Sequence, residues 1–362
     1  MVELSTEKLI SAIQLRIQQT RTGSANEPAS ASINIDDLVH RSSINLILHM
    51  FYNQKSRIDF NSEVDPLVEN INSSLRAYKS KVFKLSMMYP LLSYVLGLIL
   101  RLTKIGKYRR DVLNMIKEHQ RMNLLAKQLE VGTAPDDTNI KIENPDSTRL
   151  NPVGSLFKDV NEGILTENEC LNTSMFLFEA SHKSLSDIIV TLIYQLVKCP
   201  DVQVKLRDEI HSKGCQSDYL TWCINETMRL YPPVLMACTR TVAQDVDMGA
   251  FKIPRGALVL APIYTIHRSE EYWGEDANKF RPERWLNCQN FHPMQFLPFG
   301  AGERYCAGMH LAQRLVRLML VPLLKKFKYE QTDKTPERLH FSTPLFLFLC
   351  FDELIYVKVT EI

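Results

Sequence analysis

The stretch Phe296–Val316 reads FLPFGAGERYCAGMHLAQRLV, and the rest of the chain is best read outward from it. It sets Phe299, Gly300, Gly302 and Arg304 before one cysteine, Cys306, with Gly308 two residues after, and a helix pattern starts at once. Each of these residue types has a separate job if the sulfur binds a metal. A cysteine at a helix start sits beside unpaired backbone N–H groups and the positive end of the helix dipole, which favour negative charge on the sulfur. Gly300 and Gly302 permit backbone angles that a side chain forbids, so the loop can pass tightly beneath a flat ligand. Phe299 can shield the sulfur, and Arg304 can bind a carboxylate bidentately. Six fixed residues at roughly 5% each give a chance match of about one in 10⁵ to 10⁶ over the chain. The competing explanation is a buried, inert cysteine on a glycine turn.

At 362 residues the chain exceeds the usual size of one domain, so one large domain or two would both have ample core. Its 45% hydrophobic and 23% charged residues decide against disorder. A formal net charge of +2 gives no footing for a nucleic-acid partner. Eight cysteines are scattered without a Cys-x-x-Cys pair, which disfavours a structural zinc site and a disulfide framework and points to a reducing compartment. The N-terminal MVELSTEKLISAIQLRIQQT lacks the basic-then-apolar order of a signal peptide and reads as an amphipathic helix. The most apolar run, Leu85 to Leu100, is interrupted by Pro90 and falls short of a membrane span. It suits either a bilayer surface or a buried helix pair.

Along its length the chain reads as mostly helical up to about Leu230 and strand-rich afterwards, a mainly α architecture with a small β-rich part (α+β). Two polar linkers are expected, Thr20 to Asn34 and Val131 to Ser155. Thr166-Glu167-Asn168-Glu169 has the form of a capping box and opens a helix that runs until Pro200 forbids it, giving a long central helix over 166–198. That rod is apolar where Ile188, Ile189, Leu192, Ile193 and Leu196 recur at helical spacing. Its centre is polar instead, with Glu179, Ser181, His182, Lys183, Ser184, Ser186 and Asp187. A polar break in a buried helix faces a cavity or a water chain, because unpaired buried polar groups are costly. The other possibility is a solvated turn with a Glu179–Lys183 pair.

Ser217 and Asp218 precede a helix reading YLTWCINETMRLYPP, in which Glu226 and Arg229 lie one turn apart on one face. Glu118 and Arg121 form the same weak pattern on an ordinary surface helix. Two neighbours distinguish Glu226: Leu230-Tyr231-Pro232-Pro233 directly after, and FRPERW (Phe280 to Trp285) later. Arg284 can then close a buried Glu–Arg–Arg network, which is tolerated only if fully paired.

FGAGERYCAG resembles the haem-binding signature of the cytochrome P-450 family, and E-T-M-R, F-R-P-E-R-W and the long helix occur in that family's order. The resemblance covers essentially the whole chain, as one domain over 1–362 with the cysteine loop and following helix at 296–316. PDVQVKLRDEI (Pro200 to Ile210) and the segment Ile263 to Trp273 are similar to animal microsomal members near the drug-oxidising and thromboxane synthase branch. The resemblance implies haem b, with Cys306 as the axial thiolate of its iron. It implies that Arg304, together with Arg240, holds haem propionates, and that Glu226, Arg229 and Arg284 form a structural triad locking the cysteine loop. Side chains near Pro233 to Cys238, Phe176 to Ala180 and Pro344 to Phe346 would line an apolar substrate pocket. Partners implied are an NADPH-dependent flavoprotein reductase, O2, an apolar small molecule and a peripheral membrane contact. A full-length form would sit on the cytoplasmic face of the endoplasmic reticulum membrane.

Two departures from the family pattern stand out. The resemblance implies that the chain begins after the family's membrane anchor, first strands and early helices, and a domain missing a layer exposes apolar surface and binds haem poorly. In the central helix the family's Ala/Gly-Gly-x-Asp/Glu-Thr is replaced by Ala180, Ser181, His182, Lys183 and Ser184. The glycine that makes room for dioxygen is Ser181, the acid of the proton relay is Lys183, and the alcohol that positions the proton is Ser184. A lysine gives up its proton reluctantly unless burial assists, and serine lacks the methyl that limits threonine's rotamers. Three functions follow as expectations: a haem-thiolate monooxygenase, an isomerase or dehydratase of the same fold acting on a peroxide, and a haem-poor chain with a binding or regulatory role.

Overall fold

A computed structural model describes residues 1–20, 29–52, 152–236, 240–342 and 349–362, with short pieces between 58 and 71 and residue 114. The apolar run Leu85 to Leu100, the Glu118–Arg121 pair, and Cys238 and Pro344 to Phe346 of the expected pocket lie outside the described residues.

The elements begin with helix α1 (Val2–Gln19), strand β1 (Ser30–Asn34), and helices α2 (Ile35–Tyr52), α3 (Pro152–Asn161), α4 (Glu167–Lys198), α5 (Pro200–Lys213) and α6 (Asp218–Leu230). Short strands β2 (Arg240–Thr241), β3 (Val246–Asp247), β4 (Lys252–Ile253) and β5 (Leu258–Val259) come next, then one-turn helices α7 (Ile263–Ile266) and α8 (Glu270–Trp273). Helix α9 (Met309–Lys326) precedes strands β6 (Phe327–Glu330), β7 (Phe341–Ser342), β8 (Cys350–Phe351) and β9 (Tyr356–Glu361). The architecture is mostly helical with a small sheet part. Among the described residues no helix is long and apolar enough to cross a membrane.

Capping chemistry sets the helix boundaries. At the start of α4 the Thr166 hydroxyl accepts from the Glu169 backbone N–H at 3.2 Å, and the Glu169 carboxylate accepts from the Thr166 N–H at 2.9 Å. This reciprocal box satisfies donors the helix cannot. At 32 residues α4 is about 48 Å long. It ends because the next helix claims Pro200, whose missing N–H costs nothing in a first turn. Ser217 caps α6, its hydroxyl accepting from the Leu220 N–H at 2.9 Å.

The chain divides into two compact units, one of Met1–Leu9 and His40–Lys183, the other of Ile10–Val39 and Ser184–Ile362. In the first, the two hydrogen bonds from Ser42 and Asn45 to Ser5 join α1 to α2. The Tyr52 hydroxyl donates to the Ser174 carbonyl at 2.6 Å, tying α2 to the first half of α4. In the second unit, Leu192, Ile193 and Leu196 of α4, Leu220 of α6 and Leu320 of α9 are all fully buried.

A three-stranded antiparallel sheet of order β1-β9-β6 lies in the second unit, with Ser30 opposite Thr360 and Tyr329 opposite Val359. Its middle strand buries Val357 and Val359 completely, the alternation of a sheet with one covered face. From α5, the Gln203 side-chain amide donates to the Tyr329 carbonyl at 2.8 Å and accepts from the Tyr329 N–H at 2.9 Å.

Three expectations about chain organisation need correction. The linker Thr20 to Asn34 ends in a strand, since Ala31 and Ile33 are buried and Ser30–Asn34 pairs with the far end of the chain. The second linker also ends early, because Pro152 opens α3 and buries Val153 and Phe157. The region after Leu230 is less strand-rich than its pattern suggests, five of its strands between Arg240 and Ser342 having only two residues. One-turn helices, 3-10 turns and α9 hold more of its described residues than the strands do, the proline and glycine spacing being too dense for longer ladders.

Candidate functional site

The Glu226 carboxylate is fully buried and receives five hydrogen bonds. Arg229 donates to it twice, Nε at 2.9 Å and Nη2 at 2.8 Å, the fork geometry that a one-turn spacing on α6 allows. Arg284 Nε donates at 2.8 Å, the Arg281 backbone N–H at 3.0 Å and the Trp285 indole N–H at 3.0 Å. The structure thus brings Glu226, Arg229 and Arg284 together. The guanidinium hydrogens not used on Glu226 find other acceptors: Arg229 reaches the carbonyls of His267, Ala277 and Lys279, and Arg284 reaches the carbonyls of Trp273, Asp276 and Lys279 and the Asp276 carboxylate at 3.3 Å. Burial pulls the Arg229 pKa below its usual value, and the Glu226 charge opposes that shift. Such complete pairing is what makes two buried positive charges tolerable.

Around the network Trp273, Ala277 and Trp285 are buried, with Trp222, Phe291 and Phe296 packed on them. Trp285 and Phe296 meet edge to face with ring centroids 4.5 Å apart. Glu283, one residue before Arg284, accepts from Lys205 Nζ of α5 and from the Tyr219 hydroxyl of α6, both at 2.7 Å. A cavity of about 360 Å³ walled by Tyr272, Trp273, Arg281, Arg284 and Phe291 adjoins this region, and no residue of 299–308 lines it.

The cysteine loop follows Phe296 directly. Gly300 and Gly302 have φ of 74° and 71°, conformations that residues with a side chain rarely adopt. The Cys306 N–H donates to the Phe299 carbonyl at 2.8 Å, closing the loop on itself, and the Met309 N–H at the start of α9 donates to the Cys306 carbonyl. Cys306 and Arg304 are exposed. A Cβ built on Gly308 would stand 3.8 Å from the Cys306 sulfur, in ordinary contact with it, so this position borders the sulfur directly. A sulfur exposed two residues before the Gly308 N-cap of α9, on a loop whose glycines take positive φ, is a donor that an iron-bearing macrocycle would fit. Arg240, also exposed, lies in β2 opposite Val259.

In the first unit, Ala180, Ser181 and Lys183 are half-buried, and the Ser181 hydroxyl donates to the Leu177 carbonyl one turn back at 2.6 Å. His182 between them is buried; its Nδ1 lies 2.7 Å from the Phe178 carbonyl, and its ring stacks on His40 with centroids 5.3 Å apart. Burial lowers its pKa to about 4. Phe176 of the expected pocket is exposed while Phe178 is fully buried against His182. Ser184, half-buried, opens the second unit.

Sequence reasoning missed two residues. Trp285 carries no signal of its own inside FRPERW, although an indole N–H beside a buried carboxylate is a usable donor. His267 had no local signal at all.

The chain belongs to the cytochrome P450 family, whose model matches residues 2–359. Among its relatives are cytochrome P450 3A7 of Homo sapiens, 30% identical over 299 residues covering 78% of this chain and 56% of that protein. Cytochrome P450 3A29 of Sus scrofa is 29% identical over 299 residues with the same two coverages, 78% and 56%. Cytochrome P450 3A12 of Canis lupus familiaris is 29% identical over 322 residues, 84% of this chain and 60% of that protein. The chain therefore spans a little over half the length of these relatives.

Proposed function

We propose that this chain carries the haem-thiolate centre of a monooxygenase that inserts one oxygen atom of O2 into an apolar small molecule. The observation that supports it most is Cys306, exposed at the start of α9 on a positive-φ glycine loop, with a fully paired Glu226–Arg229–Arg284 network in the same unit. Haem b, when bound, would supply the redox chemistry of oxygen activation, with Cys306 as its protein ligand. Cys306 would hold the iron, Phe299 would shield the sulfur, Gly300, Gly302 and Gly308 would leave room for the ring, and Arg304 and Arg240 would take the propionates. Ala180, Ser181, Lys183 and Ser184 form the segment that admits oxygen and passes protons. Electrons come from NADPH through a flavoprotein reductase, at the cytoplasmic face of the endoplasmic reticulum.

The test is the absorption spectrum of the reduced, CO-bound chain after haem loading. Thiolate ligation gives a strongly red-shifted band, and Cys306→Ser is expected to abolish it. An unchanged band in that variant would refute the assignment.

A second reading is favoured by the central helix: with Lys183 in the place of an acid and the Ser181 hydroxyl donating to Leu177, the segment suits a peroxide isomerase or dehydratase, for which proton delivery is dispensable. Consumption of NADPH and O2 separates the two.

A further inference from the structure

We infer that His267 is a positioning residue that fastens the cysteine loop to the buried Glu226–Arg229–Arg284 network, its carbonyl taking one side and its imidazole the other. The part that concerns haem rests on Cys306 as the ligand; the hydrogen-bond part does not.

His267 is fully buried directly after α7, its backbone N–H donating to the Ile263 carbonyl at 2.9 Å. Its carbonyl accepts from Arg229 Nη1 at 2.7 Å. Its imidazole Nε2 accepts from the Leu297 backbone N–H, also at 2.7 Å. A backbone N–H can only donate, so Nε2 must be bare and the neutral ring carries its proton on Nδ1. The Phe296 ring, tilted against the imidazole with centroids 5.2 Å apart, fixes the ring plane.

The position of Leu297 gives this bond its importance. Leu297 is buried, and none of the residues from Pro298 to Arg314, all of them described, is buried again before Leu315. The whole cysteine loop therefore hangs between Leu297 and Leu315 without a buried side chain of its own. Its internal bonds start from the Leu297 end: the Gly300 N–H donates to the Leu297 carbonyl at 3.1 Å, and the Cys306 N–H to the Phe299 carbonyl at 2.8 Å. From Arg229 through His267 and Leu297 to the amide of Cys306, the backbone is fixed at each step by a hydrogen bond. Arg229 reports the state of Glu226 to His267, and His267 sets where the loop begins. Ring volume alone would not do this, since a carbocyclic ring offers Leu297 no acceptor and leaves a buried donor stranded.

The experiment uses the haem-loaded full chain. His267→Phe keeps a ring against Phe296 and the carbonyl to Arg229 but removes the acceptor. His267→Gln restores an oxygen near the Nε2 position. Hydrogen exchange of peptides covering 295–300 is expected to accelerate about tenfold or more in His267→Phe and to stay within about threefold of wild type in His267→Gln. The reduced CO spectrum is expected to move from the thiolate toward the thiol form in His267→Phe at equal haem content, and to return in His267→Gln. Should His267→Phe not fold, as circular dichroism would reveal, His267→Gln must still fold and keep the protected peptide. Unchanged exchange in His267→Phe, or equal loss in both variants, overturns the proposal. Failure of the Cys306 assignment shows separately, as an unchanged CO spectrum in Cys306→Ser, while the exchange measurement still judges His267.

Discussion

Glu226→Ala removes the carboxylate that accepts from the Arg229 fork and the Arg284 Nε, leaving five donors without that acceptor, while Arg284 keeps its 3.3 Å contact with the Asp276 carboxylate. Treating each as an independent hydrogen bond to a charge, at roughly 1.5–3 kcal/mol apiece, overshoots, because the five share one carboxylate and water can enter the vacated space. The better guide is the cost of breaking a buried ion pair by deleting one partner, about 3–5 kcal/mol. Against a usual domain stability of about 5–15 kcal/mol, that is enough to unfold a marginal chain. Glu226→Gln keeps the shape and one acceptor oxygen, and an intermediate loss of about 2–3 kcal/mol is expected. Urea denaturation followed by circular dichroism, with soluble yield and haem content in parallel, reads the order wild type, Gln, Ala. The control is Glu162→Ala, which breaks an exposed i,i+4 contact with Lys158 and should cost a few tenths of a kcal/mol at most. A loss below about 1 kcal/mol in Glu226→Ala, or one equal to the control, would refute the view that this network holds the unit together.

Trp285→Phe deletes one of the five donors and keeps the aromatic packing; a loss of about 1–2 kcal/mol in the same denaturation assay is expected, and no loss would show the indole N–H to be idle. Burial, with the Arg229 charge adding to it, lowers the His267 pKa to about 3. The unfolded chain thus takes up a proton near the usual histidine value while the folded chain does not, so stability is full above about pH 6.5 and falls as pH drops toward 3. At pH 5 this histidine alone accounts for about 2 kcal/mol. Buried His182, with its pKa also lowered to about 4, adds to the wild-type loss between pH 7 and pH 5, so denaturation should show more than the His267 share in wild type and a loss smaller by about 2 kcal/mol in His267→Gln; equal losses would place the titration elsewhere. In a chain that holds haem and turns over, Ser181→Gly, Lys183→Asp and Ser184→Thr together should raise product formed per NADPH and lower peroxide, beyond the sum of the singles, because adjacent groups couple. A triple variant that couples worse than wild type would make Lys183 part of a different proton path.

The family and the α+β architecture were legible because their signals are local. A glycine–arginine–cysteine turn, a capping box at Thr166 and a Glu-x-x-Arg pair each fit within a few residues. The features that escaped depend on partners far away in the chain. Ser30–Asn34 looks like polar linker until β9, more than three hundred residues on, supplies its ladder. His267 lies 38 residues from Arg229 and 30 from Leu297, and a lone histidine after a short helix carries no periodicity that would name either. Trp285 lies inside FRPERW, where the charged Arg284 carries the pairing that spacing can reveal and the indole N–H does not. The polar centre of α4 divides in the structure, with His182 turned into stacked aromatic packing while Ser181 and Lys183 remain half-buried, a split that one-dimensional spacing cannot make.

The amide of Gln203 engages both backbone polar groups of Tyr329, which marks the side of β6 turned away from β9. A single side chain on a helix thereby imitates the peptide unit of a fourth strand. Another chain approaching that margin finds its central donor and acceptor already taken, so the sheet cannot be extended there by pairing with a stranger. The glutamine is thus a stop on aggregation as well as a piece of the core.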